Sequence, residues 1–272
     1  MQGVDVNELA LFAGAGGGIL GSHLMGLRTI CAVERDAYAA QVLAQRQNDG
    51  ILPAFPIWSD ITTFDGKPWA GIVDVVSGGF PCQDISSAGK GTGIDGERSG
   101  LWSEMARIIG EVRPREVWVE NSPMLVSRGL TRVISDLAQM GYDAHWTRFS
   151  ASNFGAPHIR DRVWIVGYTS SERLEKEWLS WGLDAKKPDF GGDGSYISNS
   201  KSERWEQARE GKFSSSERIS GSGKERSRWW GIEPRLGRVA NGVAYRVDRL
   251  KAIGNGQVPI VAKSAFEFLR GN

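Results

Sequence analysis

The sequence predicts an α/β fold with a doubly wound, mostly parallel sheet and a small, irregular lobe. Two observations predict the sheet. Short apolar runs alternate with amphipathic stretches through residues 1–168, and a glycine-rich turn follows the first run. A third observation predicts the lobe, since residues 169–228 are rich in Ser, Gly and charge and lack a sustained apolar period. We therefore predict a main domain over 1–168, an irregular region over 169–230, and a return segment over 231–272 that completes the main domain.

Each predicted element rests on its hydrophobic pattern. The predicted strands are apolar or alternating runs, namely Leu9–Phe12, Thr29–Glu34, Ile72–Val76, Glu116–Glu120, Tyr142–Phe149 and Val163–Tyr168. The predicted helices are Gly16–Met25, Asp36–Gln47, Ser99–Val112, Thr131–Met140 and Pro259–Leu269. Asp36 and Ser99 stand where two of these helices start, and their side-chain oxygens can accept from free backbone N–H groups there.

The composition limits partners and location. At 272 residues the chain can bury one core and a smaller accessory lobe. A net charge of +1 means that contact with a nucleic acid depends on local basic patches rather than on a global field. The N-terminus lacks the pattern of a signal peptide, and no apolar window approaches the length of a membrane span. We therefore expect a cytoplasmic protein without a membrane segment.

The chain has two cysteines, and the sequence predicts different roles for them. Cys31 lies in an apolar run and is expected in the core. Because neither Cys31 nor Cys82 has a histidine nearby, we expect no metal site and no disulfide framework, which fits a reducing compartment.

Cys82 follows a predicted strand that breaks at Gly78-Gly79, the edge of the sheet where open α/β proteins bind ligands. Pro81 restricts its own φ and the conformation of the residue before it, so the thiol is held in a defined direction. A thiolate presented in this way can attack an electrophilic carbon. The alternative is a buried structural cysteine, but the polar neighbours of Cys82 favour the nucleophile.

A glycine-rich turn at residues 14–18 follows the first strand and opens the first helix. Glycines there let a ligand approach the backbone and the helix N-terminus, although such a turn is a weak signal alone. Glu34 ends the second strand, where its carboxylate can accept from both hydroxyls of a ribose. The alternative for Glu34 is a charge that stabilises the N-terminus of the next helix.

Three charged side chains are candidates for work on a substrate. Glu120 ends a predicted strand at the same edge as Cys82, and its carboxyl group can hydrogen-bond a ring nitrogen during attack by the thiol. Arg160 and Arg162 precede a later strand, from which an arginine can hold a carbonyl oxygen or a phosphate. By itself this Arg-x-Arg pattern is more often a surface ion-pairing motif.

Taken in order, these motifs resemble one family. The stretches that carry the resemblance are Leu11-Phe-Ala-Gly-Ala-Gly-Gly17, Glu34, Asp60-Ile61, Gly78-Gly-Phe-Pro-Cys-Gln83, Glu120-Asn121, Arg160-x-Arg162, the segment from Arg238 to Asp248, and Gly254-Asn255. Their order and spacing are similar to those of the DNA (cytosine-5) methyltransferases, particularly the compact bacterial and phage members. The resemblance covers nearly the whole chain except 169–228, and the Pro-Cys loop with the Glu-Asn and Arg-x-Arg motifs is highly specific as a set.

The resemblance implies a Rossmann-like fold, S-adenosylmethionine as the cofactor, and a cytosine flipped out of double-stranded DNA as the substrate. By position, Cys82 would attack C6 of the ring and Glu120 would contact N3 and the exocyclic amine. Arg162 would hold O2, with Arg160 in support. The positions that match the family's cofactor contacts are Phe12, Gly14, Gly16, Glu34, Asp60, Ile61, Leu101, Asn255 and Gly256, with Asp60 accepting from the adenine amino group.

On the DNA side, the resemblance makes the loop over 84–100 a lid that closes on DNA. The expected DNA contacts in and before this loop are Pro81, Gln83, Ser86, Gly89 and Arg98. Residues 169–228 would recognise the target sequence, and the candidates there are Arg204, Arg209, Arg226 and Arg228, which are interleaved with tryptophans. The alternative for this region is a solvated insertion without a role in binding.

The main hypothesis is therefore a monomeric DNA cytosine methyltransferase, of the orphan or restriction-modification type. A second hypothesis places the same chemistry on RNA, since one branch of the family methylates transfer RNA. A third is a DNA-binding relic without catalysis, and the presence of Cys82, Glu120 and Arg162 argues against it.

Overall fold

The computed structural model describes residues 6–81, 100–169 and 246–271 of the chain. Its strands are β1 (Val6–Leu11), β2 (Leu27–Val33), β3 (Ile57–Trp58), β4 (Val75–Gly78), β5 (Glu116–Asn121), β6 (Asp143–Ser150) and β7 (Asp161–Tyr168). Its α-helices are α1 (Gly17–His23), α2 (Ala37–Asn48), α3 (Gly100–Val112), α4 (Leu125–Arg128), α5 (Leu130–Gln139), α6 (Arg246–Asn255) and α7 (Pro259–Arg270). None of the helices in these ranges is long and apolar enough to cross a bilayer.

The strands form one sheet in the order β3-β2-β1-β4-β5-β7-β6. The first five of these pair in parallel, whereas β7 runs antiparallel to both β5 and β6. After β1 the chain builds outwards through β2 and β3, and then returns to the other side of β1 with β4. Because the order reverses between β1 and β4, the carboxyl ends of these two strands flank the crevice where such sheets bind ligands.

The core lies on both faces of the sheet. Successive residues of a strand point to opposite faces, so Val117 and Val119 pack on the side of α3 and α5, and Trp118 packs on the side of α7. Trp118 stacks on Phe266 of α7 with ring centroids 4.6 Å apart. The helices on both faces confirm the predicted α/β class with a mostly parallel, doubly wound sheet.

Most predicted elements are confirmed, with ends that differ from the prediction by at most three residues. Asp36 caps α2, because its side chain accepts from the Ala39 N–H at 3.1 Å. Cys31 lies in the core at 2% exposure, and burial raises the pKa of its thiol to about 11. Ser99 and the predicted lobe at 169–230 fall outside the described residues, apart from Thr169, which follows β7.

Four predicted strand starts differ from the structure by two or three residues, and the packing explains two of these differences. The strand predicted from Ile72 begins at Val75, because Ile72 lies in a turn with its N–H bonded to the Trp69 carbonyl and its side chain 51% exposed. The strand predicted from Val163 begins at Asp161, since antiparallel pairing with β6 continues to Ser150. Arg162 therefore lies inside β7 rather than before it, and this fixes the direction of its side chain.

Candidate active site

The turn after β1 adopts backbone conformations that are uncommon for most residues. Phe12, Gly14 and Gly16 have φ angles of 52°, 55° and 83°. Gly16 serves as the N-cap of α1, so no capping side chain bonds to the first N–H groups of the helix. Phe12 is a non-glycine residue in this region of φ, and such strain is found at ligand-binding turns.

The segment after α6 passes very close to this turn. A Cβ atom on Gly17 would lie 2.1 Å from the backbone oxygen of Gln257. Any side chain at position 17 would therefore push the two segments apart, which explains the glycine. The cleft is lined by the turn, by the ends of β1, β4 and β5, and by residues 255–257.

Glu34 directly follows β2 and is tied to the turn by hydrogen bonds. One carboxylate oxygen accepts from the Gly14 N–H and the other from the Asp36 N–H, both at 2.6 Å. These bonds fix the side chain at the rim of the cleft, and each oxygen keeps a second lone pair for another donor. The bond to Asp36 N–H also agrees with the alternative prediction that Glu34 stabilises the start of α2.

Three further candidates for cofactor contact, Asp60, Ile61 and Leu101, lie in the described residues. Asp60 follows β3 and accepts from the N–H and the hydroxyl of Thr62 at 3.0 and 2.9 Å, and the backbone bond in particular lowers the pKa of its carboxyl. Ile61 is buried, and the half-buried Leu101 packs against the core beneath α3. Asp60 is therefore held as an ionised acceptor near the protein surface.

The residues that lead into the Pro-Cys loop are held by contacts with α3 and β5. Phe80 is 2% exposed and packs against Trp102 with ring centroids 5.3 Å apart. The buried Asn121 side chain donates from Nδ2 to the Phe80 carbonyl at 3.0 Å. The exposed Pro81 comes next and ends the described segment. The last residues before Cys82 are therefore fixed to the ends of β4 and β5.

Glu120 reaches the same point. The carboxylate oxygen Oε2 would lie 2.6 Å from a Cβ atom on Gly79, so only a glycine leaves room for it there. Oε1 lies 2.7 Å from Arg162 Nε on the neighbouring strand β7. The structure thus places the acid and the guanidinium together, next to the backbone that leads into Cys82.

Burial dominates the acid-base behaviour of Glu120. Loss of solvation raises the pKa of its carboxyl group above the ordinary value, and Arg162, Arg160 and a hydrogen bond from the Gln257 side chain oppose this rise. A carboxyl group balanced in this way can bind a ring nitrogen as a proton donor or an amine as an acceptor.

Arg160 connects this acid to the C-terminal segment. Its Nη2 donates to the carbonyls of Gly254 and Gly256, at the end of α6. Burial and the nearby Arg162 lower the pKa of Arg160. Arg160 therefore acts on the position of residues 254–256, two of which are the predicted cofactor contacts Asn255 and Gly256.

The described residues fit a nucleoside cofactor. The glycine turn and α1 supply backbone N–H donors. Glu34 lies 20 residues after Gly14, the spacing at which an acid binds ribose hydroxyls in such folds. Asp60, after β3, supplies a further carboxylate acceptor. All nine predicted cofactor residues lie in the described ranges, as do Glu120, Arg160, Arg162 and Pro81. The candidates outside the described residues are Cys82, Gln83, Ser86, Gly89, Arg98, Arg204, Arg209, Arg226 and Arg228.

Sequence reasoning missed three residues of the cleft. Gln257 bonds to Glu120 and touches the glycine turn, although its only signal in the sequence is its place after Asn255-Gly256. Ser22 and Ser77 line the floor of the cleft. Both donate to Glu8, whose charge inside an apolar strand was a signal that the sequence did carry.

Comparison with known families agrees with this geometry. The family model of the C-5 cytosine-specific DNA methylases matches residues 6–233. The type II methyltransferase M1.ScrFI of Lactococcus lactis subsp. cremoris is 37% identical over 163 residues, which are 58% of this chain and 40% of that protein. The type II methyltransferase M.CviJI of Paramecium bursaria Chlorella virus IL3A is 33% identical over 189 residues, 69% of this chain and 49% of that protein. The chain thus spans less than half the length of both relatives.

Solved structures show the same fold. A prophage protein of Escherichia coli, assigned as a DNA modification methyltransferase, superposes with a TM-score of 0.50 at 24% identity, over 60% of this chain and 47% of that one. The methyltransferase EhMeth of Entamoeba histolytica superposes with a TM-score of 0.52 at 15% identity, over 62% of this chain and 54% of that one.

Proposed function

Since this chain belongs to the C-5 cytosine-specific DNA methylase family, we propose that it transfers a methyl group from S-adenosylmethionine to C5 of a cytosine in double-stranded DNA. The observation that carries the proposal is the contact of Glu120 with Arg162 at 2.7 Å, beside the anchored entrance to the Cys82 loop. A buried acid and a guanidinium in this place match the N3 and O2 edge of a cytosine that has left the base stack.

When bound, S-adenosylmethionine supplies an electrophilic methyl group on a sulfonium. The chain's own residues prepare the base. The Cys82 thiolate adds to C6, and the electron pair displaced from the C5–C6 bond makes C5 a nucleophile. Glu120 holds a proton at N3 and accepts from the exocyclic amine, while Arg162 holds O2. Once C5 has used this electron pair to take up the methyl group, loss of the C5 proton to a base and departure of the Cys82 thiolate from C6 restore the C5–C6 double bond, and the N3 proton returns to Glu120. The adduct divides one difficult step into easier ones, since C5 alone is a poor nucleophile.

We further propose that residues 169–230 recognise the target sequence and that the chain acts as a monomer. The relatives named as type II methyltransferases support a role in restriction-modification, in which a defined DNA sequence is methylated. Arg204, Arg209, Arg226 and Arg228 are the candidates for phosphate or base contact in that region.

The nucleophile gives the sharpest test. Incubation of the chain with S-adenosylmethionine and a pool of duplexes in which 5-fluorocytosine replaces cytosine should yield an SDS-resistant protein–DNA complex, because fluorine blocks the final elimination. Cys82→Ser should give no such complex and no transfer of labelled methyl. Cys31→Ala removes the other thiol, which is buried in β2, and should still be trapped.

Transfer RNA replaces the duplexes in a parallel reaction. Labelling of transfer RNA but not of DNA would contradict the proposal that DNA is the substrate. Wild-type turnover by Cys82→Ser would contradict the proposal that Cys82 is the nucleophile.

A further inference from the structure

Glu8 is a fully buried carboxyl group on the central strand β1. Its side chain is 0% exposed and is surrounded by hydroxyl groups from three other elements. Oε1 accepts from Ser22 on α1 at 2.7 Å and from Ser77 on β4 at 2.6 Å, and Oε2 accepts from Thr29 on β2 at 2.6 Å. Among the described side chains, no lysine or arginine forms an ion pair with Glu8.

These contacts favour the ionised state of Glu8. Three hydroxyls donate to it, and an acceptor-only carboxylate matches that pattern. Burial raises the pKa of the carboxyl above its ordinary value, and the hydrogen bonds from Ser77, Thr29 and Ser22 limit this rise. A buried charge with neutral donors and no cation is costly, and carboxyl groups with strongly perturbed pKa values are concentrated at functional sites.

The hydroxyls connect Glu8 to the cleft. Ser22 and Ser77 both line the floor of the cleft beside the glycine turn and the end of β4. Each hydroxyl has one proton, and each gives it to Glu8. The oxygens therefore have only lone pairs left for the cleft side. The Glu8 carboxyl group thus lies directly behind two hydroxyl oxygens that line the cleft.

We propose that Glu8 is a positioning residue for the cofactor, whose buried charge favours the cationic sulfonium of S-adenosylmethionine over the neutral thioether of the demethylated product, S-adenosylhomocysteine. This inference rests on the proposed function. The two ligands share the nucleoside, the ammonium and the carboxylate, and they differ by one methyl group and one positive charge. A fixed negative charge in a poorly solvated site attracts the cationic ligand and not the neutral one, so it can discriminate between the two ligands.

The variant Glu8→Gln tests this idea without breaking the local hydrogen bonds. The amide oxygen can still accept from Ser22 and Ser77, and the amide nitrogen can donate to the Thr29 oxygen. Binding of each ligand to the DNA-free chain is measured by calorimetry. We expect the affinity for S-adenosylmethionine to fall by about tenfold, because the variant loses the attraction between two unlike charges in a poorly solvated site. The affinity for S-adenosylhomocysteine should change by less than about twofold.

Stability provides a second readout. Glu8→Gln removes a desolvated charge, so its melting temperature should match or exceed that of the wild type, whereas a merely structural role would lower it. Glu116→Gln is the matched control, since Glu116 is also 0% exposed but lies at the other end of β5, beside Arg270 and away from the cleft. This control should lose stability and keep the ligand preference. If Glu8→Gln does not fold, Glu8→Met repeats the charge removal with an apolar side chain of similar length.

Equal losses for both ligands, an unchanged preference in Glu8→Gln, or the same loss of preference in Glu116→Gln would each overturn the inference. A folded wild type that binds neither ligand would instead overturn the proposed function, and this inference with it.

Discussion

Arg162 and Glu120 form a buried ion pair across two antiparallel strands, with Arg162 Nε 2.7 Å from Glu120 Oε1. Glu120 lies opposite Trp164 in the register, and Arg162 is two residues from Trp164 on the same face of β7. The pair is thus a diagonal cross-strand contact that the reversal of β7 creates. Because the two side chains are only 9% and 23% exposed, water cannot replace either partner easily.

Removal of Arg162 should therefore cost stability as well as activity. Arg162→Gln leaves the buried Glu120 carboxylate without its nearest cation, and we expect the free energy of unfolding at pH 8 to fall by about 3 kcal/mol. The loss should shrink as the pH falls, because the unpaired carboxyl takes up a proton and no longer carries a buried charge. Urea denaturation at pH 5 and pH 8 measures both effects.

Arg148→Gln is the matched control. Arg148 lies on β6, is 53% exposed, and pairs with Asp161 at 3.9 Å. Its loss should change the free energy of unfolding by less than about 1 kcal/mol at either pH. Similar losses in both variants would mean that burial of the Glu120–Arg162 pair does not matter.

Glu34 gives a prediction on cofactor affinity. Glu34→Ala removes the acceptor proposed for the ribose hydroxyls and the bond from Gly14 N–H that shapes the turn. Because charge-assisted hydrogen bonds contribute about 1.5–3 kcal/mol each, affinity for S-adenosylmethionine should fall by about tenfold or more, with little change in DNA binding without cofactor. Calorimetry that shows unchanged affinity would refute the assignment.

The neighbouring Asp36 is the control for Glu34. Asp36 caps α2 and pairs with Lys251 of α6. Asp36→Ala should lower the free energy of unfolding by about 1 kcal/mol through loss of the cap, while cofactor affinity stays within about twofold. A drop in affinity as large as that of Glu34→Ala would show that general disturbance of the α2 start, not ribose recognition, explains both.

The sequence predicted the sheet because its strands carry their own apolar signal. Val117 to Val119 and the run ending at Val76 are buried on both faces, which makes them continuous hydrophobic stretches. The two-residue strand β3 has no such signal, and α6 has too few apolar residues to show a helical period. The sequence could not predict that β7 is antiparallel, because strand direction depends on pairing with β5 and β6 and not on the local hydrophobic pattern.

Site residues that stand in a motif could be predicted from the sequence. Contacts between residues far apart in the sequence could not. Glu34, Glu120 and Arg162 stand in motifs that the resemblance identified. The donors to Glu8 lie 14, 21 and 69 residues away from it along the chain. Hydroxyl residues are common and have many uses, so only the folded sheet shows that three of them meet at one carboxyl group.

Gln257 should set the pH range of the reaction. Its side-chain hydrogen bond lowers the pKa of Glu120, against the rise caused by burial. In Gln257→Leu this donor is absent, so the pKa of Glu120 rises further and its protonated form persists to higher pH. If protonated Glu120 serves N3 of the base, the alkaline limb of the single-turnover methyl-transfer rate moves to higher pH in the variant.

Gln139→Leu, an exposed change at the end of α5, should leave the alkaline limb where the wild type has it. A limb that stays in place or moves to lower pH in Gln257→Leu would show that Glu120 does not act as a proton donor.

The irregular region should govern recognition and not cofactor binding. The nine candidate cofactor residues and the elements that hold them lie in 6–81, 100–169 and 246–271. Replacement of 172–226 by a short Gly/Ser linker should therefore leave S-adenosylmethionine affinity unchanged. The same change should abolish site-specific methylation, read by bisulfite sequencing, and flatten the salt dependence of DNA binding.

A full-length variant distinguishes the effect of losing the arginine charges from the effect of deleting residues 172–226. Replacement of Arg204, Arg209, Arg226 and Arg228 by Gln keeps the region but removes its candidate phosphate contacts. The slope of log affinity against log salt should become shallower by about 0.9 for each arginine that contacts a phosphate. If the linker variant still methylates the same sequence context at a comparable rate, recognition resides instead in the 84–100 loop or beyond residue 231, and the solvated-insertion alternative for 169–228 is correct.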